Sequence, residues 1–379
     1  MDPIDLSRRA ALGTGLAAAS WLAGCATPTG PARAQVVVVG GGWGGLGAAR
    51  ALAKDGQVDV TLVEPNESFM SCPLSAHYVA GLSPASDFQR SYARVDAAGI
   101  RRLRDRVTAI DRSARVVVTA SARLPYDYLV LSPGVDYMED AVPGYAQARG
   151  ALPVGFRAFE QQAVRSQVDR FLTEGGTFVI GVPKPPYRCP PAPYERACLI
   201  AEQVKRRGVK GKVVIVDANP SPMPPPMAAP LVAAMRGLYA AEIQYLSSTE
   251  ITSVDVGRKV LETSMGAVPF TEANLILPMR APALIRQAGL GERWAAIRLP
   301  SFLSQADDRV YIVGDAQGSP LPKSGHVAFG AGQNAAADIL RRLAGRPPAP
   351  TDAPAALPMG ICWASVTHDE AIMINVTGT

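Results

Sequence analysis

Short, nearly unbroken apolar runs recur along this chain, each ending at a glycine or proline. Gln35-Val36-Val37-Val38-Val39 is the first. A strand with one wet face alternates apolar and polar residues, whereas a parallel strand covered on both faces carries a continuous run. This run passes directly into Gly40-Gly41-Gly42-Trp43-Gly44-Gly45, and the pattern then predicts a helix over 46–54. A second strand, Val58 to Val63, ends in Glu64. Further runs stand at 126–131, breaking at Ser132-Pro133-Gly134, and at 310–313, ending in Gly314-Asp315-Ala316. Another, 177–181, precedes a helix-like stretch over 194–207. Strands alternating with helices in this way predict an α/β protein with Rossmann-like domains.

The first turn matches G-x-G-x-x-G at Gly40, Gly42 and Gly45. Glycines let backbone N–H groups approach a pyrophosphate at a helix N-terminus, and an acid closing the next strand binds a ribose hydroxyl. Glu64 is that acid. Strand, glycines, helix, strand and acid in this order predict a dinucleotide site. Gly134 marks where the chain leaves the domain after the third run, and Asp315 is expected to hold a ribityl chain. Together these pieces point to FAD, bound by a domain that an insertion splits. The expected boundaries are 35–149 and 273–346 for the FAD domain, 150–272 for a second, degenerate Rossmann-like domain, and 347–379 for a C-terminal interface segment.

The second domain's glycine turn is missing. Its place holds Pro185-Pro186-Tyr187-Arg188-Cys189-Pro190-Pro191-Ala192-Pro193-Tyr194-Glu195-Arg196. Prolines stiffen a bend and offer no N–H to a phosphate. The bend is therefore expected to exclude NAD(P)H. Cys189 precedes a helix N-terminus and follows Arg188, which predicts a favoured thiolate.

Composition narrows the classes. The 379 residues, 48% of them hydrophobic, suffice for two or three cores. The 33 prolines exceed the usual share of about 5% and gather near 183–193, 220–230 and 347–358, as in stiffened loops. A net charge of +5 without basic-aromatic clusters gives nucleic-acid binding no support. His77, His326 and His368 lack metal-ligand spacing, and the absence of C-x-x-C-H excludes c-type haem on this chain. Residues 1–34 read as a twin-arginine export signal, with Arg8-Arg9 before the weakly apolar stretch Gly13 to Ala23. Leu22-Ala23-Gly24-Cys25 has the form of a lipidation site, and cleavage near Ala34 would instead discard Cys25. The expected location is the periplasm, with any membrane contact made through lipid on Cys25.

Four segments carry a family likeness: Cys72-Pro73-Leu74-Ser75, the Tyr187 to Arg196 bend, Pro322-Lys323-Ser324-Gly325, and a cysteine near the C-terminus. With these the chain resembles the flavoprotein subunit of flavocytochrome c sulfide dehydrogenase and, more distantly, sulfide:quinone oxidoreductase. The resemblance implies a disulfide-reductase-like flavoprotein that oxidises sulfide and passes electrons to a cytochrome c subunit carrying the haem. It further implies a thioether from Cys72 to the flavin, a redox-active Cys189–Cys362 disulfide, a proton-handling Glu195 and a flavin-side Lys323. Simpler roles stay open: a free Cys72, an inert staple, and a plain first-turn acid. Cys198 reads as a small buried residue, though a Cys189–Cys198 bridge is also open. Family members continue further past their last cysteine, so the segment around Cys362 is expected to lack supporting strands. Two rival readings are a sulfide:quinone oxidoreductase and a non-catalytic flavoprotein partner of a sulfur-oxidation complex.

Overall fold

The valine run forms the strand Ala34–Val39, in the interior of a seven-stranded sheet. The computed structural model describes residues 33–224, 227–347 and 357–376. The paired arginines and Cys25 lie outside the described residues. In spatial order the sheet runs 297–298, 303–304, 310–312, 128–131, 34–39, 58–63 and 101–103. The central strand pairs in parallel with Val58–Val63 on one side and Tyr128–Leu131 on the other. Val36, Val37 and Val38 are buried on both faces, which is why the run does not alternate. Strand order reverses beside Ala34–Val39, so a crevice opens at the carboxyl ends, where nucleotides bind in such sheets.

A second sheet of four parallel strands runs 243–246, 211–217, 176–182 and 272–275. All its strands fall between Tyr128–Leu131 and Ile297–Arg298 of the first sheet. The expected α/β architecture is thus present. The helix Trp43–Asp55 packs against Gly325–Leu343 so closely that a Cβ on Gly332 would stand 2.1 Å from the Gly44 carbonyl oxygen.

Both predicted helices begin earlier than their patterns suggested. The first starts at Trp43 rather than 46, because the loop glycines themselves build its first turn. The other spans Ala192–Arg207, since prolines in a first turn cost no hydrogen bond. The C-terminal segment forms a hairpin, Gly360–Ser365 with Ala371–Val376, in which Cys362 faces Ile374. Ala364 and Ile374 join the core around Ala192–Arg207, so the hairpin is seated on that helix. No helix among the described residues is long and apolar enough to cross a membrane.

Candidate active site

A cavity of about 750 Å³ lies at the crevice, walled by Gly40–Gly44, Glu64, Cys72, Gly134, Asp315 and Lys323 among others. Gly40 turns at φ 95°, and a Cβ there would meet the Ser132 carbonyl oxygen at 2.2 Å. Gly45 lies against the Gly40 carbonyl, and Gly42 caps a 13-residue helix without any side-chain hydrogen bond. No acid stands in that first turn, and the positive helix end faces the cavity. Glu64 is buried; Oε2 accepts from the Gly41 N–H at 2.7 Å and Oε1 from the Asn66 N–H at 2.8 Å. Trp43 Nε1, also on this wall, is buried without a hydrogen-bond partner among the described residues. The cradle, the acid and the orphan donor fit a dinucleotide.

Cys72 opens a short 3-10 turn, Cys72–Leu74, at the same cavity. Its Sγ lies 3.6 Å from the Phe156 carbonyl oxygen and 3.4 Å from Gln161 Nε2. Cys189 holds a left-handed backbone (φ 54°) that a non-glycine residue seldom adopts, and its N–H donates to the Lys323 carbonyl at 2.8 Å. That bond joins the proline-rich bend to the strap leading into Gly325–Leu343. Lys323 is buried, its ammonium donating to the Asp315 and Gln317 carbonyls at 2.8 and 2.7 Å and lying 3.6 Å above the Trp294 ring. Burial lowers its pKa to about 8.

Cys189 and Cys362 are free thiols here, as are Cys72 and Cys198. One expectation needs correction. The Cys189 thiolate is disfavoured rather than favoured. Burial raises its pKa strongly, and Cys362, Glu195 and Cys72 add to the effect, with Arg188 the weaker opposing influence. Arg188 is engaged elsewhere: its Nε lies 3.1 Å from Asp315 Oδ2, and Nη1 donates to the Phe156 carbonyl at 2.7 Å. The sequence reading missed this pair, which links the bend of the second sheet to the last strand of the first. Cys198 is fully buried, as expected, and burial raises its pKa to about 12.

Glu195 is more than a first-turn acid. It is 6% exposed, and burial raises its pKa to about 7 despite the Ser365 N–H that donates to Oε1 at 3.0 Å. Ser365 belongs to the Cys362 strand, so this bond brings the hairpin to the bend. Cys362 has its thiol beside the Ser324 hydroxyl and Glu195, and burial raises its pKa as well. The three histidines, scattered in sequence, all meet this hairpin. His326 Nδ1 lies 3.3 Å from the Ile361 nitrogen, His77 Nε2 3.3 Å from the His368 carbonyl oxygen, and His368 Nδ1 2.7 Å from Glu202 Oε1.

The second nucleotide position is filled from within. Asp217 closes the strand beside Gly176–Val182, the topological counterpart of Glu64. It is fully buried, with Oδ2 accepting from the Tyr194 and Tyr245 hydroxyls at 2.6 and 2.8 Å and Oδ1 from Asn219. Tyr194 lies inside the proline-rich motif, so the residues that remove the glycines also occupy the ribose acid.

Comparison with known proteins agrees with this geometry. The family model for the central part of the sulfide dehydrogenase [flavocytochrome c] flavoprotein chain matches residues 161–277, and that for pyridine nucleotide-disulphide oxidoreductases matches 34–172. A sulfide dehydrogenase flavoprotein chain from Chlorobaculum thiosulfatiphilum is 55% identical over 42 residues, 11% of this chain and 88% of that sequence. Mouse mitochondrial sulfide:quinone oxidoreductase is 21% identical over 312 residues, 76% of this chain and 67% of the enzyme. The chain spans about half to three quarters of the length of the longer curated relatives it matches. The solved sulfide:quinone oxidoreductase of Aquifex aeolicus shares the fold, with TM-score 0.76 and 18% identity over 91% of this chain and 87% of that one.

Proposed function

Because the chain belongs to the family of the flavocytochrome c sulfide dehydrogenase flavoprotein chain, we propose that it oxidises hydrosulfide at a Cys189–Cys362 disulfide and passes the electrons through FAD to a cytochrome c subunit. The observation that carries this reading is the meeting of Cys362 and buried Glu195 with Cys189, a thiol on the wall of the glycine-cradle cavity. Residues 35–149 and 273–346 are assigned to FAD, 150–272 to a degenerate nucleotide domain, and 347–379 to the segment presenting Cys362. Export by the twin-arginine route puts the protein in the periplasm, with Cys25 either lipidated or lost with the leader.

Bound FAD would supply an acceptor that takes two electrons together and returns them singly; Gly40, Gly42, Gly45, Glu64, Gly134, Gly314 and Asp315 are assigned to hold it, and Cys72 to tether it. The free thiols are the reduced form of the working pair, and closing the disulfide removes two electrons and two protons. Hydrosulfide then attacks Cys362 Sγ: a sulfur–sulfur bond forms there, the Cys189–Cys362 bond breaks, and the electron pair leaves on Cys189 Sγ. Burial disfavours that thiolate; the Cys189–Cys362 bond re-forms as two electrons pass to bound FAD, and the bond from Cys362 to the outer sulfur breaks, releasing that sulfur at the zero-valent level. The proton of the new persulfide passes to Glu195. Lys323 lies beside the developing negative charge and is assigned to stabilise it.

Cys189→Ser or Cys362→Ser is expected to lower sulfide-dependent cytochrome c reduction by about a hundredfold or more, with flavin still bound. Flavin is expected to stay with the denatured chain in these variants and to be released from it by Cys72→Ser. Activity unchanged by either of the first two substitutions sinks the mechanism. The likeness to the mouse enzyme and the outward Trp363 and Met373, 63% and 56% exposed on the Cys362 hairpin, favour a second reading, electron delivery to a quinone. Quinone reduction faster than cytochrome c reduction by the purified protein would select it.

A further inference from the structure

The helix Ala192–Arg207 presents Glu195, Cys198 and Glu202 at spacings i, i+3 and i+7, which place them along one face. All three are buried, at 6%, 0% and 7% exposure. From Glu195 to Glu202 is about 10 Å along the axis, with the Cys198 thiol one turn from each. The Cys362 hairpin lies along this face. Its Ser365 N–H donates to Glu195, its Val366 carbonyl accepts from Tyr239 at 2.7 Å, and its His368 Nδ1 meets Glu202 Oε1 at 2.7 Å. The His368 side chain is 48% exposed, so this line of groups begins beside the redox thiols and ends in water.

Glu202 Oε2 is buried with no hydrogen-bond partner among the described residues. A buried oxygen left in that condition has lost its hydration with no hydrogen bond in return. A clasp for the hairpin loop needs only Oε1. The second oxygen is accounted for if the carboxyl group takes and releases a proton there.

We propose that Glu195, Cys198, Glu202 and His368 form the exit by which protons leave the redox site for solvent. The inference rests on the sulfide-oxidising reading. Over a full turnover HS⁻ gives sulfur at the zero-valent level, two electrons that cytochrome c finally accepts, and one proton that must reach solvent. That proton moves from the persulfide to the Glu195 carboxylate, and an equivalent proton moves by way of the Cys198 thiol to Glu202 and then to His368, which releases it to water. Glu202 and His368 act through Glu195 and touch neither the substrate nor the redox thiols, so they are positioning residues. The charged surround consists of Arg206, 3.8 Å from Glu202, and Asp369, 3.5 Å from His368. Tyr239 faces Glu202 and Cys198, with Glu242 and Glu370 nearby, and His77 approaches the His368 carbonyl.

The test is anaerobic stopped flow on the FAD-loaded full chain with sulfide, oxidised cytochrome c as electron acceptor and a pH-indicator dye in weak buffer, flavin bleaching being followed in a parallel run without cytochrome c. His368→Gln and Glu202→Gln are expected to slow proton release about tenfold or more while leaving the extent of flavin bleaching unchanged. Added imidazole is expected to restore the His368→Gln rate, which a purely structural clasp would not allow. Proton release at the parent rate in both variants, or a slow His368→Gln variant that imidazole leaves slow, overturns the proposal. If sulfide fails to bleach the parent's flavin, the sulfide reading falls. Photoreduction then replaces sulfide, and dye-reported proton uptake in the same variants tests the exit independently.

Discussion

Glu195 keeps its proton to about pH 7, because burial penalises its charge more than the Ser365 N–H and Arg196 offset. Against its ordinary value of 4.5 this is a raised pKa, and the direction fixes the pH dependence. Between about pH 4.5 and 7 the unfolded chain has released this proton while the folded chain still holds it. Its contribution to stability is therefore complete below about 4.5 and is lost as pH rises through 7. The span corresponds to about 3 kcal/mol. Glu195→Gln, which stays neutral, is expected to flatten the profile by that amount. Urea unfolding of parent and variant at pH 5 and pH 8 measures it, and parallel profiles would show a Glu195 that ionises normally. The same raised pKa suits a group that takes a proton from a persulfide near neutral pH.

At the scale of elements, the strand Gly176–Val182 and helix Ala192–Arg207 have the layout of a nucleotide-binding unit with its pocket closed. The prolines remove the N–H donors that a pyrophosphate needs. Asp217 is held by two tyrosine hydroxyls and Asn219, so no ribose reaches it without stripping buried hydrogen bonds worth about 0.5–1.5 kcal/mol each. NADH is accordingly expected to leave the flavin oxidised under conditions in which sulfide bleaches it. Anaerobic absorbance titration decides this, and bleaching by NADH would mean that the bend opens. The same helix carries Glu195, Cys198 and Glu202 along the face that meets the hairpin.

At the scale of the whole molecule, the two sheets meet at Arg188. Its side chain leaves the proline-rich bend, donates to Phe156 and pairs with Asp315 at the end of the first sheet's Val310–Ile312 strand. Asp315 has a side chain only 10% exposed, so removing the guanidinium leaves a buried carboxylate unpaired. Arg188→Ala is expected to cost about 3–5 kcal/mol in stability and to weaken flavin retention, because Asp315 and Cys189 lie on the same cavity wall. Thermal unfolding and flavin release on dilution measure the two effects. A variant that melts and retains flavin as the parent does would show that the pair does not couple the sheets.

The strands and the FAD cradle were legible in sequence because both rest on local physics. Continuous valine runs permit only strands covered on both faces, and only glycine fits where the Gly40 turn meets the Ser132 carbonyl. Cys189 and Glu195 could be singled out because the proline-rich motif that holds them is so unusual, and Cys72 and Cys362 only through the family resemblance. What sequence could not supply was each group's environment. Arg188 beside Cys189 suggested a stabilised thiolate, but tertiary packing turned that arginine to Asp315 and buried the thiol, reversing the direction of its shift. The closure of Asp217 by Tyr245 and the meeting of three distant histidines at one hairpin depend on residues far apart in the chain. Local pattern determined which elements form and where the glycines must be. Burial and long-range pairing, which exist only after folding, decided which side chains hold protons and where those protons can go.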